Sequence, residues 1–155
     1  MIRTLTADDA PAVPALTVAA ELFTAEEAGI VEAMMASYLA SQRDEGDVCL
    51  VDDLDGELIG VAYYAPVPEA DRTWYLTMLG IRSDHHRGGR GRALMRHVED
   101  DLAGRGERLL LVETSALPAF ARARAFYAAC GYGEEARVRD YYGDGDDMVL
   151  FRKAL

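Results

Sequence analysis

Glycine and arginine dominate one short segment, residues 81–95, and this composition is suited to binding an anion. Three glycines let the backbone turn its N–H groups toward a ligand without interference from a Cβ. Three arginines beside them supply positive charge, and a helix beginning in the segment would add the positive end of its dipole. The residues concerned are Arg87, Gly88, Gly89, Arg90, Gly91 and Arg92.

The two common nucleotide-binding loops do not match this segment. No Lys-Ser/Thr pair follows the glycines, as a Walker loop requires, and the glycine spacing differs from that of a dinucleotide fingerprint. A plain surface turn and a short RNA-binding patch stay open as alternatives. The net charge of −11 argues against a general nucleic-acid binder, which needs a basic face.

Length and composition are typical of one globular domain spanning residues 1–155. The chain is 50% apolar and 28% charged. No apolar run approaches the roughly 18 residues of a membrane span, and the N-terminus does not resemble a secretory signal. We therefore expect a cytoplasmic protein with no membrane partner. Its excess acid either favours a cationic acceptor or only maintains solubility. Cys49 and Cys130 are expected to be reduced.

The hydrophobic pattern of the N-terminal third predicts a short strand and then two helices. The strand covers residues 1–6, and the first helix extends to about Phe23. Thr24 is a suitable N-cap for a second helix over about 25–40. In that helix Ile30, Met34 and Tyr38 are spaced four apart and are predicted to share one face.

The remaining two thirds alternate strands and helices around the glycine–arginine segment. β-Rich runs at 48–52 and 58–64 flank Asp55-Gly56, a strong hairpin signal. A third strand is predicted at 73–81 and a helix to about 103. A strand at 108–112 follows, then a helix over 120–130 that Gly131 ends. Two strands at about 135–142 and 147–153 close the chain. The order predicts a mixed α/β sheet with one parallel crossover, and ligands favour the carboxyl ends of such strands.

Tyr127 and Glu113 have side chains suited to proton transfer. Tyr127 is predicted at the edge of a buried helical stripe, where its ring packs and its hydroxyl faces a cleft; the alternative is an ordinary tyrosine at the core boundary. Glu113 follows an apolar strand, where burial favours a carboxylate that accepts protons. The alternative for Glu113 is a strand-end acid paired with an arginine.

Aromatic residues elsewhere are candidates for lining an acceptor pocket: Phe23, Tyr38, Tyr141 and Tyr142. The two tyrosines at 141 and 142 lie close to Asp146 and Asp147, and an exposed hairpin with solvated acids is the alternative. The three histidines lack the spacing of metal ligands, so no metal site is expected.

Three segments together resemble the GNAT superfamily of acetyltransferases. His86-Arg87-Gly88-Gly89-Arg90-Gly91 is similar to the acetyl-CoA motif Q/R-x-x-G-x-G/A, with histidine at the Gln/Arg position, and Leu79-Gly80-Ile81 precedes it. Residues 110–115 resemble the fifth strand of the family. Residues 124–132 resemble its A-x-x-F-Y-x-x-x-G-F signature. The resemblance covers residues 73–155.

The resemblance implies the GNAT fold: a central, mostly antiparallel sheet flanked by helices, in which the parallel strands at 73–81 and 108–112 splay apart. It implies acetyl-CoA as co-substrate, with the backbone of Leu79, Gly80 and Ile81 binding the pantetheine arm and acetyl carbonyl. His86 and residues 87–92 would bind the pyrophosphate. Many relatives carry a CoA-contacting Asn where this chain has Phe120, and Ser115 is the candidate replacement.

The implied chemistry is direct attack of an amine on the thioester. Tyr127 would protonate the leaving thiolate, and Glu113 would accept the amine proton, directly or through water. A small primary amine is the first expected acceptor, and a protein N-terminus or lysine is the second. A non-catalytic acyl-CoA sensor is the rival function. Whether the chain forms a homodimer stays open.

Overall fold

A computed structural model describes residues 1–41 and 46–155. A seven-stranded mixed sheet lies at its centre. The strands are β1 (Ile2–Thr4), β2 (Val48–Leu54), β3 (Glu57–Pro66), β4 (Thr73–Ile81), β5 (Leu109–Ser115), β6 (Gly133–Gly143) and β7 (Asp146–Ala154). The helices are α1 (Val13–Ala19), α2 (Ala28–Ser41), α3 (Arg90–Gly104) and α4 (Ala121–Ala129).

The strand order is β1-β2-β3-β4-β5-β7-β6. Neighbouring strands are antiparallel except β4 and β5, which are parallel and joined through α3. This arrangement confirms the predicted mixed sheet with its single parallel crossover. The last strand in the chain, β7, lies between β5 and β6, so β6 is an edge strand.

Local sequence signals fix the hairpin of β2 and β3 and the end of α4. Asp55 and Gly56 both have positive φ, 54° and 90°, as a two-residue hairpin turn requires. Gly131 also has positive φ and donates to the Ala128 carbonyl, while the N–H of the next residue donates to the Tyr127 carbonyl, both at 3.0 Å. These two bonds form a Schellman motif, which confirms Gly131 as the residue that ends the helix.

The N-terminal helices differ from the prediction. The single helix expected to reach Phe23 is a 3-10 turn followed by the short α1, because Glu21 adopts a positive φ of 60° and ends the helical path. In α2 the buried stripe is Val31, Met35 and Tyr38. Ile30 is 57% exposed, so the predicted face was wrong by one residue at its start.

Two hydrophobic cores cover opposite faces of the sheet. Side chains from α1 and α2 pack with Val51, Val61 and Met78 on one face. Side chains from α3 and α4 pack on the other face, where the core also includes Leu110, Val112 and Phe151.

Neither cysteine is in a disulfide, and burial raises the pKa of the Cys49 thiol to about 12. None of the helices in the described ranges is both long and apolar enough to cross a membrane.

Candidate active site

Strands β4 and β5 separate part of the way along their length. Their parallel pairing extends only from Thr73 and Leu109 to Leu76 and Val112. At that point the register between β3 and β4 shifts, which leaves Thr77 as an extra residue in β4. Thr77 is anchored by its hydroxyl, which donates to the Tyr63 carbonyl at 2.9 Å. A bulge of this kind bends its strand, and here it opens a gap between the ends of β4 and β5.

The end of β4 lines one side of this gap with backbone. Leu79, Gly80 and Ile81 pair with β3 along one edge, while within the described ranges the opposite edge has no strand partner beyond Leu76. Backbone N–H and C=O groups on such an edge are obligatory hydrogen-bonding groups. An extended ligand that carries amide groups would satisfy them, as an added strand does.

Gly80 allows the segment after α1 to approach β4 closely. A Cβ at Gly80 would lie 2.5 Å from Leu22 Cδ1 and 3.0 Å from the Cβ of Ala20. The N–H of Leu22 is held by the Thr17 carbonyl at 3.0 Å, and the N–H of Phe23 by the same carbonyl at 3.4 Å. The structure thus places Phe23 in a segment that packs on β4, as an acceptor-lining role would require.

The glycine–arginine segment leads from the end of β4 into α3. Arg87 and Gly89 adopt positive φ values of 68° and 75°, and Gly89 directly precedes the first helical residue. The first N–H groups of a helix have no intrahelical acceptor and face outward with the positive end of the dipole. A Cβ at Gly91 would lie 3.4 Å from the Phe126 ring, so this glycine lets α3 pack closely on α4.

His86 closes the loop onto β4. Its Nε2 lies 2.7 Å from the carbonyl oxygen of Ile81, the last residue of the strand. A carbonyl accepts only, so Nε2 carries the hydrogen and donates. The His86 side chain is therefore committed within the protein, and its direct part in an anion site would come from its backbone.

The nearby arginines divide into paired and free side chains. The Arg90 guanidinium lies 3.2 Å from Asp52 Oδ1 and 3.3 Å from Oδ2, and the Asp52 side chain is fully buried. This pairing corrects the expectation for Arg90, whose side chain is directed to β2 and whose backbone N–H alone is offered at the loop. Arg92 contacts the Ala129 carbonyl at 3.4 Å. Arg87 is exposed and has no ion-pair partner in residues 1–41 and 46–155.

Tyr127 is the residue of α4 that packs deepest, and its hydroxyl has no partner among the described residues. Its ring is held by Phe126, Tyr132 and Phe151, with centroids at 5.5, 6.1 and 5.6 Å. Burial, and then the neighbouring Cys130, raises the pKa of Tyr127 to about 12. The hydroxyl therefore stays protonated through neutral pH and is able to donate.

The sequence profile of the acetyltransferase (GNAT) family matches residues 16–132. The chain belongs to this family. A Desulfovibrio desulfuricans protein assigned to the GNAT family superposes with a TM-score of 0.92, at 28% identity over 99% of this chain and 98% of that one. The family and the fold together identify the chain as an N-acetyltransferase. No curated protein matches its sequence.

Two further solved structures share the fold of this GNAT enzyme at lower identity. One is the ribosomal-protein-alanine N-acetyltransferase from Brucella melitensis, with a TM-score of 0.82 and 24% identity over 100% of this chain and 99% of that one. The other is the PaiA N-acetyltransferase from Thermoplasma acidophilum in complex with coenzyme A, with a TM-score of 0.78 and 16% identity over 100% and 98%.

Glu113 of this GNAT chain is the first β5 residue beyond the parallel pairing, so it lies where the gap opens. Its backbone pairs with Leu150 of β7. The Glu113 carboxylate lies close enough to Tyr142 for its charge to act on the tyrosine hydroxyl. Burial, and then the charge of Glu113, raises the pKa of Tyr142 to about 12. Glu113 thus lies beside tyrosines, and within residues 1–41 and 46–155 it forms no ion pair with an arginine, which the alternative interpretation expected.

Tyr141 and Tyr142 project from an irregular part of β6. The pairing of β6 with β7 is interrupted between Val138 and Gly143, and Asp140 has a φ of +55°. The N–H of Asp140 is held by Asp147 Oδ1 at 2.9 Å. The two tyrosine rings meet edge to face, 4.9 Å apart. A fixed bulge thus brings this aromatic pair beside Glu113.

Two other sequence-based candidates are placed differently. Tyr38 is 1% exposed, packs edge to face on Tyr63 at 5.7 Å and belongs to the core under α1 and α2, so it does not line the gap. The hydroxyl of Ser115 donates to Asp146 and accepts from the N–H of Leu117 at 3.1 Å. The Ser115 hydroxyl is therefore bonded within the turn before α4, and Phe120 is half-exposed there.

Sequence reasoning missed three contributors to the site. Tyr75 of β4 lies near enough to Glu113 to interact with its charge. Because side chains alternate along a strand, its position between the buried Trp74 and Leu76 could have indicated that it points to the opposite face. Arg124 bonds the carbonyls of Ser115 and Leu117 at 2.7 and 2.9 Å and fixes the turn before α4. The bulge at Thr77 has no sequence signal. No cluster of three metal-ligating side chains occurs in the described ranges.

Proposed function

We propose that this enzyme transfers the acetyl group of acetyl-CoA to a primary amine by direct attack, without a covalent enzyme intermediate. The observation that carries the proposal is the gap between β4 and β5. A glycine-rich helix start lies at its end, and on α4 the buried hydroxyl of Tyr127 has no partner among the described residues. Fold relatives solved with coenzyme A support the same assignment of the co-substrate.

The cofactor's phosphates fit the loop at the start of α3. The backbone N–H groups of residues 88–92 and the helix dipole supply favourable contacts for a pyrophosphate. The free Arg87 adds charge. The amides of the pantetheine arm fit the unpaired edge of β4, where Leu79, Gly80 and Ile81 offer backbone donors and acceptors.

The reaction needs a donor for the departing thiolate. Tyr127 meets this requirement because its ring is locked by aromatic neighbours, its hydroxyl has no partner in the described part of the chain, and its raised pKa keeps it protonated. As the C–S bond breaks, the electron pair leaves on sulfur and the tyrosine hydroxyl supplies the proton. A backbone N–H of the β4 edge would polarise the acetyl carbonyl in the same step.

The attacking amine must lose a proton on the other side of the gap. Glu113 lies at the mouth of that side, beside Tyr142. It would accept the amine proton directly or through one water. No cysteine or serine is needed as a nucleophile, and Ser115 is bonded to Asp146.

The first experiment is a thermal shift with acetyl-CoA, free CoA and ATP. Stabilisation of about 2.7 kcal/mol is expected when a ligand is at a hundred times its dissociation constant. Both CoA species should stabilise the protein and ATP should not, because ATP lacks the pantetheine arm. Stabilisation by none of the three would overturn the proposal.

The second experiment is the Tyr127→Phe substitution, assayed by thiol release. Loss of a general acid lowers kcat by about 10²-fold or more, whereas CoA affinity should change little because the ring remains. A non-catalytic acyl-CoA sensor would show CoA binding with no thiol release from the wild type. If the enzyme acetylates a peptide N-terminus or lysine in preference to small amines, its acceptor is a protein.

A further inference from the structure

The face of the C-terminal half of the sheet that lies opposite α3 and α4 is largely apolar, with Glu113 near its centre and the exposed Arg152, which pairs with Leu111, at one edge. Leu110 and Val112 of β5 are buried in the core under α3 and α4. Side chains alternate along a strand, so Leu111 and Glu113 point to the opposite face. Both are only half-buried.

The same alternation extends this face to the neighbouring strands. Tyr75 pairs with Leu111 across β4 and β5, and Leu150 pairs with Glu113 across β5 and β7. Leu150 is half-buried between the buried residues Val149 and Phe151. Tyr141 and Tyr142 lie beyond β7 on β6. We call this surface the tyrosine face: Tyr75, Leu111, Glu113, Tyr141, Tyr142 and Leu150.

Two of the tyrosines of this face lie beside Glu113, and the third lies against those two. The charge of Glu113 acts on both Tyr75 and Tyr142, and Tyr141 interacts with each of them. Tyr141 and Tyr142 are 53% and 45% exposed, although aromatic side chains of this size are favourable to bury. An apolar ligand body would cover them, and a single ammonium group would meet the carboxylate.

The fixed charges around the tyrosine face suit a ligand with one positive charge better than a ligand with several. Arg137 is paired with Asp147 at 2.8 Å, and Asp146 accepts the hydroxyl of Ser115. These acids are therefore partly satisfied, whereas Glu113 has no ion-pair partner among the described residues and lies beside the neutral Tyr75 and Tyr142. Tyrosine ring faces attract an adjacent cation and also pack against aromatic or aliphatic groups.

From this juxtaposition we propose the acceptor class: a monocationic primary amine with an aromatic or aliphatic body, which packs on Tyr75, Tyr141 and Tyr142 while its ammonium approaches Glu113. This inference rests on the proposed acetyl transfer and makes its acceptor specific. The face is continuous with the gap, because Glu113 is the first residue of β5 beyond the pairing with β4. A bound amine would therefore reach the thioester from the side opposite Tyr127.

The test is calorimetric titration of amines into the protein saturated with free CoA, which needs no turnover. The probes are 2-phenylethylamine, ethylamine, spermidine and a peptide with an N-terminal alanine. We expect 2-phenylethylamine to bind about tenfold more tightly than ethylamine, since the two share an ammonium and differ by an aromatic body. It should also bind more tightly than spermidine and the peptide.

Two substitutions at Tyr142 separate the contribution of the aromatic ring from that of the hydroxyl. Tyr142→Ala should weaken 2-phenylethylamine about fivefold to tenfold and leave ethylamine nearly unchanged. Tyr142→Phe keeps the ring and should bind within about twofold of the wild type. Ile30→Ala, which truncates an exposed apolar side chain on α2, is the matched control and should change neither amine. Thermal unfolding checks that each variant is folded.

The outcomes separate the two proposals. Absence of CoA binding in the initial titration would overturn the proposed function and this inference with it. CoA binding followed by equal affinities for ethylamine and 2-phenylethylamine, or by tightest binding of spermidine or the peptide, would overturn the acceptor class alone. An unchanged 2-phenylethylamine affinity in Tyr142→Ala would do the same.

Discussion

The cofactor end of the gap and the tyrosine face beside it are assembled from differently distributed parts of the chain. The cofactor end takes residues 79–92 from one strand end, its loop and the start of α3, with Tyr127 on α4. The tyrosine face combines Tyr75, Glu113 and Tyr142 from three strands. These residues come together because β7 lies between β5 and β6 in the sheet. A local motif carries the first region, whereas sheet topology creates the second.

This difference predicts that the two regions respond separately to substitution. Changes at the loop should alter acetyl-CoA binding and leave amine affinity in the CoA complex unchanged. Changes on the tyrosine face should do the reverse. A residue that lies within one of these regions but only packs or pairs inside the protein should change the free energy of unfolding and neither binding constant.

Arg90 is expected to give the largest effect on folding, although it lies within the glycine–arginine motif. Arg90→Ala would leave the fully buried Asp52 carboxylate without its main partner. Breaking a buried pair costs about 3 to 5 kcal/mol, and we expect about 3 kcal/mol because Arg90 is partly exposed and the N-terminal amine lies 3.5 Å from Asp52. Urea unfolding measures this loss.

Arg87→Ala is the matched control for Arg90. Arg87 is exposed, so its removal should change the free energy of unfolding by less than about 0.5 kcal/mol. It should instead raise the KM for acetyl-CoA severalfold, because a free cation at the phosphate site is lost. Two results together would contradict this comparison: Arg90→Ala has the unfolding free energy of the wild type, and Arg90→Ala rather than Arg87→Ala raises the KM for acetyl-CoA.

Gly80 tests how closely the segment after α1 must approach β4. Gly80→Ala places a Cβ 2.5 Å from Leu22 Cδ1 and 3.0 Å from the Cβ of Ala20, and the second contact cannot be relieved by rotating a side chain. We expect a loss of about 2 kcal/mol in the free energy of unfolding, as for other overpacked sites.

A glycine with free space around it provides the control for this overpacking. A Cβ at Gly104 in α3 would meet no atom within 4 Å. Gly104→Ala should therefore stabilise the protein by about 0.5 kcal/mol, because alanine restricts the unfolded chain more than glycine does. Equal destabilisation in both variants would show that close packing at Gly80 is not the cause.

The sequence predicted those parts of the fold that short-range chemistry decides. Asp55-Gly56 predicted the hairpin because both residues tolerate positive φ, and Gly131 predicted the end of α4 for the same reason. The glycine–arginine loop was also predicted, since its glycines mark backbone that must turn before a helix. In each case neighbouring residues alone specify the conformation.

Side-chain partners over long sequence distances were not predictable in this way. The Arg90 side chain was assigned to phosphate because nothing near residue 90 indicates that Asp52 is its partner. Tyr38 was assigned to an acceptor pocket because helical spacing gives a face but not what covers it. The bulge at Thr77, which opens the gap, depends on the register between β3 and β4, and no residue type marks it.

His86 should have a smaller effect, confined to the cofactor end. His86→Ala removes the 2.7 Å hydrogen bond to the Ile81 carbonyl, and a net loss of about 1 kcal/mol is expected to appear as a roughly fivefold rise in the KM for acetyl-CoA. His86→Gln can still donate to that carbonyl and should restore most of the affinity, with kcat unchanged in both. A fall in kcat at constant KM would indicate a different role for His86.

The smallest expected effect is in the pH profile of the wild type, where the ionisation of Tyr127 should leave kcat unchanged up to pH 10. A tyrosine donates only while protonated, and its ordinary pKa is about 10. Burial raises the pKa of Tyr127 to about 12, so the proton-donating form persists to higher pH. At pH 10 an ordinary tyrosine would be about half ionised and kcat would fall about twofold; here kcat should stay level from pH 8 to 10 after the enzyme-free rate is subtracted. A twofold fall centred near pH 10 would mean that the hydroxyl is solvated in the working enzyme, so that the proton donor is no more shielded from water than the open tyrosine face.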